Sequence, residues 1–300
     1  MFYRWRTGFN RARFTYQIRE IFKTPALRLH KGPWAIISMV ANHDVAMYLL
    51  SMKSFYRRVG RGRLIAIVDR DMPEDSRRTL QGHFVGIELT HLEDIDTGIC
   101  QRGGTWERLI YLLDHSESEY AIQVDSDTLA FGSDLDEIIS CAETNRPFVL
   151  SNQGRPIMTM ASSAEDARGV DSDHICIAAE LSFDKYPDVQ RFKYVRASSG
   201  LAGFAKGGFH RSRIEEFHEN MRRLHADRWN EWGSEMVSSN FAIANSPNAV
   251  VLPYPKYANF WPGLKRGHSA FLHFIGTHRY LDGYFANLGQ KVISELSSAG

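Results

Sequence analysis

Asp125 and Asp127, with Ser126 between them, follow directly on Tyr120-Ala121-Ile122-Gln123-Val124. A short apolar run with β-branched Ile122 and Val124 predicts a buried strand, so the two carboxylates emerge at its carboxyl end. In an open α/β sheet, ligands bind in the crevice outside those strand ends. Two carboxylates one residue apart can share a divalent cation, because a hard ion takes several oxygen ligands and a diphosphate could supply the others. An Asp-x-Asp is also what an ordinary acidic turn looks like, since Asp hydrogen-bonds its own backbone in turns. Late in the chain His273 follows another apolar run, with Gly276 and Arg279 three and six residues further on. A neutral imidazole could complete a metal site begun by carboxylates. Gly276 would let backbone approach a phosphate, and Arg279 would neutralise a diphosphate with directed donors. Alone, such a histidine is more often a core residue; together with Asp125 and Asp127 the ligand reading is the stronger.

The elements that must carry these residues alternate. Residues 33–40 predict a strand, and residues 45–58 a helix with Val45, Tyr48, Leu49, Met52, Phe55 and Tyr56 at helical spacing. Residues 64–68 predict a second buried strand after Gly60-Arg61-Gly62, residues 73–83 a short polar helix, and residues 84–89 a third strand. Residues 105–115 form an amphipathic helix with Trp106, Leu109, Ile110 and Leu113 on one face, leading into the Asp-x-Asp strand. This alternation implies an α/β fold, a mixed and mostly parallel sheet flanked by helices. Further on, residues 133–144 predict a helix started by Ser133, with Asp134, Asp136 and Glu137 in its first turn. Phe148-Val149-Leu150 and Val250-Val251-Leu252 read as strands, and residues 209–229 as a charged helix. Residues 158–173, small, polar and acidic, predict a mobile loop, and Ser198-Ser199-Gly200 with Gly203 a tight backbone.

The formal charge of +1 conceals an asymmetry. Residues 1–31 hold eight basic residues and the single acid Glu20, a net +7, which leaves −6 on the remainder. The globular part is therefore not a nucleic-acid binder on charge grounds. In the basic segment Phe2, Tyr3, Trp5, Phe9, Phe14, Tyr16, Ile18 and Phe22 interleave with arginines, as in an interfacial helix lying on an anionic membrane. A helix docking its aromatic face on the domain would show the same composition. Cys100, Cys141 and Cys176 are odd in number and form no Cys-x-x-Cys pair, which fits a reducing compartment. With no apolar run near the roughly 18 residues of a membrane span and no secretory leader, the expected location is the cytoplasm, peripheral to the membrane face. The expected organisation is a basic aromatic segment over residues 1–31 and one domain over 32–300, with a donor half at about 32–150 and an acceptor half at about 151–300.

Asp125-Ser126-Asp127, the helix with Trp106, Arg108 and Leu109, and the run His273-Phe274-Ile275-Gly276-Thr277-His278-Arg279 resemble the family 8 glycosyltransferases. So does the opening strand followed by Asn42-His43-Asp44 and a helix carrying Ser51 and Ser54. The resemblance runs in order from about Trp34 to Arg279 and implies a GT-A (Rossmann-like) fold and a nucleotide-sugar donor, a UDP-sugar being expected. It implies Asp125, Asp127 and His273 as ligands of Mn²⁺ or Mg²⁺. About the donor it implies Asp44, Arg108, Ser126, Ser199, Gly200, Gly276 and Arg279, the last standing where the family has Lys. Ser198-Ser199-Gly200 falls at the family's Asn-Ala-Gly-like stretch near the sugar. Glu235 and Met236 fall where the family has an Asp-Gln pair near the anomeric carbon; Glu235 keeps the acid, and Met236 departs from the polar partner. The implied activity is a metal-dependent, retaining hexosyltransferase, with Glu235 and Asp127 as its catalytic residues. A glycan, lipid-linked or protein acceptor is expected near residues 151–200 and Trp229, Trp232 and Trp261. A lipid-linked acceptor would suit synthesis of an envelope glycan.

Two other readings start from the same residues. A haloacid-dehalogenase-like phosphatase also uses Asp-x-Asp after an apolar strand, its first Asp being the nucleophile. That family wants Asp-x-Asp-x-Thr, whereas Thr128 follows Asp127 immediately. An inactive adaptor held on membranes by its basic segment would need no metal-dependent nucleotide binding.

Overall fold

Trp34–Val40 (β1) shows the period-2 burial of a central strand: Ile36 and Val40 enter one apolar cluster while Ala35 and Ile37 enter a second on the other face. Around it the computed structural model, which describes residues 2–132 and 135–298, builds a seven-stranded sheet. Its other strands are Arg63–Val68 (β2), Glu88–His91 (β3), Tyr120–Val124 (β4), Phe148–Ser151 (β6), Ala197–Phe204 (β7) and Val250–Val251 (β8), in the order β8-β6-β7-β4-β1-β2-β3. Thr128–Ala130 (β5), Tyr257–Asn259 (β9) and Phe271–His273 (β10) form a separate three-stranded sheet. All pairings in the large sheet are parallel except the two made by β7.

Helices cover both faces. Phe2–Gln17 (α1), Val45–Val59 (α2), Glu74–His83 (α3) and Asp136–Glu143 (α5) lie with the first cluster; Trp106–Ser116 (α4) packs with the second. The second cluster also takes Met160–Ala167 (α6), Ile175–Leu181 (α7), Arg211–His225 (α8) and Ser234–Ala244 (α9). Tyr284–Ser297 (α10) closes the first cluster through Phe285, Leu288, Val292 and Ile293.

Several local expectations need correction. The loop expected over residues 158–173 is a short strand followed by α6, whose first turn is capped by the Thr159 hydroxyl accepting from the Ser162 amide at 3.1 Å. The single strand expected over residues 84–89 is two, because Gly86 at φ +102° turns the chain: Phe84–Val85 pairs with Leu27–Arg28, and β3 joins the main sheet. The tight stretch around Ser198 is a fully buried antiparallel strand. The helix expected over residues 209–229 ends at His225 and passes into a 3-10 turn, Ala226–Asn230, and Trp229 is core rather than acceptor surface. The cap expected at Ser133, with Asp134, lies outside the described residues.

Candidate active site

β4 ends at Val124, and Asp125 to Asp127 form a turn tied down from below by α2. Ser51 Oγ donates to the Asp125 carbonyl at 3.0 Å, Thr128 Oγ1 donates to the same carbonyl at 2.8 Å, and the Ala130 amide donates to Ser54 Oγ at 3.1 Å. β5 then pairs antiparallel with β10, setting His273 opposite Thr128, and the Phe274 amide donates to the Asp127 carbonyl at 2.9 Å. This pairing brings the histidine to the carboxylates: His273 Nε2 lies 3.2 Å from Asp127 Oδ1 and 3.9 Å from Asp125 Oδ2. One ligand atom from each of the three residues falls within 4.8 Å of the others, and both Asp127 and His273 are only 6% exposed.

The other imidazole nitrogen is held. His273 Nδ1 lies 2.8 Å from Ser198 Oγ and 3.1 Å from Asn259 Oδ1, while Asn259 Nδ2 donates to Asn152 Oδ1 at 2.9 Å. An amide oxygen only accepts, so Nδ1 carries a proton and Nε2 is the nitrogen turned to the carboxylates. Two carboxylates and one oriented imidazole suit a divalent cation such as Mn²⁺ or Mg²⁺.

Two arginines flank the acids. Arg108, on the first turn of α4, pairs with Asp125 and reaches Ser199 Oγ at 3.3 Å and Glu235 at 3.5 Å. Glu235, near the start of α9, also accepts from the Thr105 hydroxyl at 2.9 Å. Arg279 pairs with the other oxygen of Asp127 and donates to the Phe274 carbonyl at 3.1 Å. Burial pushes the Asp127 carboxyl up, but the His273 and Arg279 charges outweigh it and hold it at about 2. Burial lifts the Asp125 and Glu235 carboxyls above their ordinary range, opposed in both by Arg108.

These groups line one cleft of about 610 Å³ at the carboxyl ends of β1, β2 and β4. Asp44, Arg108, Asp125, Ser126, Asp127, Ser199, Glu235, His273, Gly276 and Arg279 all line it. Gly200 is the exception, lying behind His273, where a Cβ would meet the imidazole Nδ1 at 2.2 Å. In the pairing of β7 with β6, Ser198 faces Leu150 and Ala202 faces Val149, so Ser199 to Leu201 have no partner on that side. This bulge sits beside the cleft.

No protein-family profile matches the sequence, and no curated protein matches it. Solved structures do. The bifunctional glycosyltransferase WbbM is 14% identical, with a TM-score of 0.53 over 90% of this chain and 51% of its own, so this chain spans about half of WbbM's length. The galactosyltransferase LgtC, in complex with donor and acceptor sugar analogues, is 10% identical with a TM-score of 0.51 over 88% of this chain and 96% of LgtC. An active-site mutant of LgtC superposes with a TM-score of 0.53 at 11% identity. The fold is GT-A.

Within the GT-A frame, sequence reading passed over three residues that hold the site: Thr105, Asn152 and Asn259. No motif marks Asn259; its place follows from β9 running parallel to β10 with Asn259 opposite His273. Asp69, at the end of β2, also lines the cleft unforeseen. Of the three tryptophans expected near an acceptor, only Trp232 lines the cleft, and it is 68% exposed.

Proposed function

We propose that this chain transfers a sugar from a nucleotide-sugar donor, a UDP-sugar in the first instance, to a glycan, lipid-linked or protein acceptor in the cytoplasm. The observation that carries the reading is the convergence of Asp125, Asp127 and His273 within 4.8 Å on the wall of a cleft at the strand ends. Asp125, Asp127 and His273 would hold Mn²⁺ or Mg²⁺, which supplies charge neutralisation for a departing diphosphate. Arg279, Ser126 and the Gly276 backbone bind that diphosphate, and Asp44 takes the nucleoside side. Arg108 orients the sugar together with Ser199. Glu235 fixes Arg108 and turns its remaining acceptor capacity to a sugar hydroxyl or to the positive anomeric centre. The family 8 resemblance extends the reading to a hexosyl donor and retention of configuration. Trp232, 68% exposed among the cleft-lining residues, suits the acceptor ring.

The test is thermal unfolding with a panel of nucleoside diphosphates and nucleotide sugars, each with Mn²⁺ and with EDTA. A ligand confined to the folded state stabilises by ~2.7 kcal/mol at a hundredfold excess over Kd. One nucleotide is expected to stabilise only with metal, and Asp127→Ala to lose that increment while staying folded. Glu235→Gln is expected to keep the nucleotide shift and lose turnover. No shift with any nucleotide, or a shift indifferent to EDTA, sinks the assignment and returns weight to a phosphatase or an adaptor.

A further inference from the structure

Helix α1 has two faces with different surroundings. Phe14, with Ile18 just beyond the helix end and Ile21, is buried, and the Phe14 ring lies 4.5 Å from that of Phe285 on α10. Phe9 and Tyr16, two helical turns apart and so on one stripe, are 69% and 65% exposed. Docking on the domain therefore uses Phe14 and leaves the other two rings in solvent. No acidic residue occurs between Phe2 and Gln17. Arg13 and Arg19 are exposed, and the Arg19 guanidinium sits 4.0 Å above the Tyr16 ring. Beside them runs a shallow groove of about 540 Å³, lined by Arg11, Ala12, Thr15, Tyr16, Arg19 and His43.

Exposed aromatic rings set among cations, with no acid on the helix itself and with Glu20 beside Arg19 and Asp44 beside His43 already paired to a base, are the composition of a helix lying in a membrane interface. The groove also has a fixed relation to the cleft. His43 lines the groove and its chain neighbour Asp44 lines the cleft, both from the 3-10 turn Asn42–Asp44. We propose that the Phe9–Tyr16 face of α1 seats on an anionic phospholipid bilayer, with Arg11, Arg13, Arg19 and His43 receiving headgroup phosphates. The cleft mouth then opens beside the bilayer, and the acceptor is lipid-linked. The acceptor clause rests on the sugar-transfer reading; the surface itself does not.

The full chain is sedimented with phosphatidylcholine vesicles with and without about 30% phosphatidylglycerol, at low and high salt. Binding to the anionic vesicles is expected to be at least ~10-fold tighter than to neutral ones and to weaken as salt rises. The double variant Phe9→Ser/Tyr16→Ser and, separately, Arg13→Glu are each expected to weaken it by ~10-fold. Both variants should keep the thermal midpoint and the metal-dependent nucleotide shift, since these side chains are exposed. Equal sedimentation with both vesicle types, or undiminished binding by the double variant, overturns the proposal. Light scattering that finds a dimer which the double variant dissolves assigns the face to a second copy of the chain, and overturns it too. A nucleotide shift without lipid binding removes the surface and leaves the sugar-transfer reading intact. Lipid binding without a nucleotide shift supports the surface and removes the acceptor clause.

Discussion

At the scale of single residues, the imidazole of His273 is useful to a metal only if its proton stays on the far nitrogen. Asn259, itself clamped by Asn152, sets that condition. Groups that orient a ligating histidine affect metal affinity without touching the ion, commonly by about 10–100-fold. Asn259→Leu is therefore expected to weaken Mn²⁺ binding by at least ~10-fold, measured by calorimetric titration of the metal into the apoprotein. An unchanged affinity would leave Asn259 a packing residue. Asp125, Asp127, His273 and Arg279 were legible in the sequence because their chemistry is written into residue type and short spacing. Asn259 was not, because asparagine is common after a strand and only the β9–β10 register sets it against the imidazole.

At the scale of elements, β7 is the strand that departs from the alternating pattern and the one that shapes the site. Its bulge leaves Ser199 to Leu201 unpaired toward β6, and Gly200 yields the space that His273 fills. Gly200→Ala puts a methyl into the imidazole, a rigid neighbour with Asp125 and Asp127 beyond it. Overpacking of this kind costs about 1–3 kcal/mol. The expected outcome is a lowered melting temperature and loss of the Mn²⁺-dependent nucleotide shift; a variant that keeps both would show that the ring can move aside. The parallel strands and α2 were readable from apolar periodicity. Helix α6 was not, because its buried stripe is Met160, Ser163, Ala164 and Ala167, helical in spacing but mostly too small to register as apolar. Helix α10 was not anticipated either, although Phe285, Leu288, Val292 and Ile293 stand at helical spacing.

At the scale of the molecule, the N-terminal segment is fastened by a buried charge. Lys53 on α2 is fully enclosed and donates to the Thr24 hydroxyl at 2.8 Å and the Pro25 carbonyl at 2.6 Å. Burial lowers its ammonium from 10.5 to about 8. Between these values the unfolded chain keeps a proton that the folded chain has released, so stability rises with pH across that window, and the whole penalty is present below it. Chemical denaturation at about pH 7 and 9.5 is expected to show wild type gaining ~2 kcal/mol relative to Lys53→Met over that interval. A difference between the two proteins that does not change with pH would place the proton elsewhere. Among the described residues no helix is long and apolar enough to cross a membrane.

The order in which the cleft is completed follows from the pairing of β5 with β10. Every strand of the large sheet has been made once synthesis passes Val251, yet the partner that β5 needs does not exist until His273 emerges. A nascent chain can thus complete its large sheet with the two aspartates in place and their third companion missing, and a chain arrested anywhere before β10 carries that sheet without the Asp125–Asp127–His273 cluster. On the sugar-transfer reading proposed above, nucleotide capture would be a late checkpoint in the life of the polypeptide, passed only by molecules in which β10 has docked against β5.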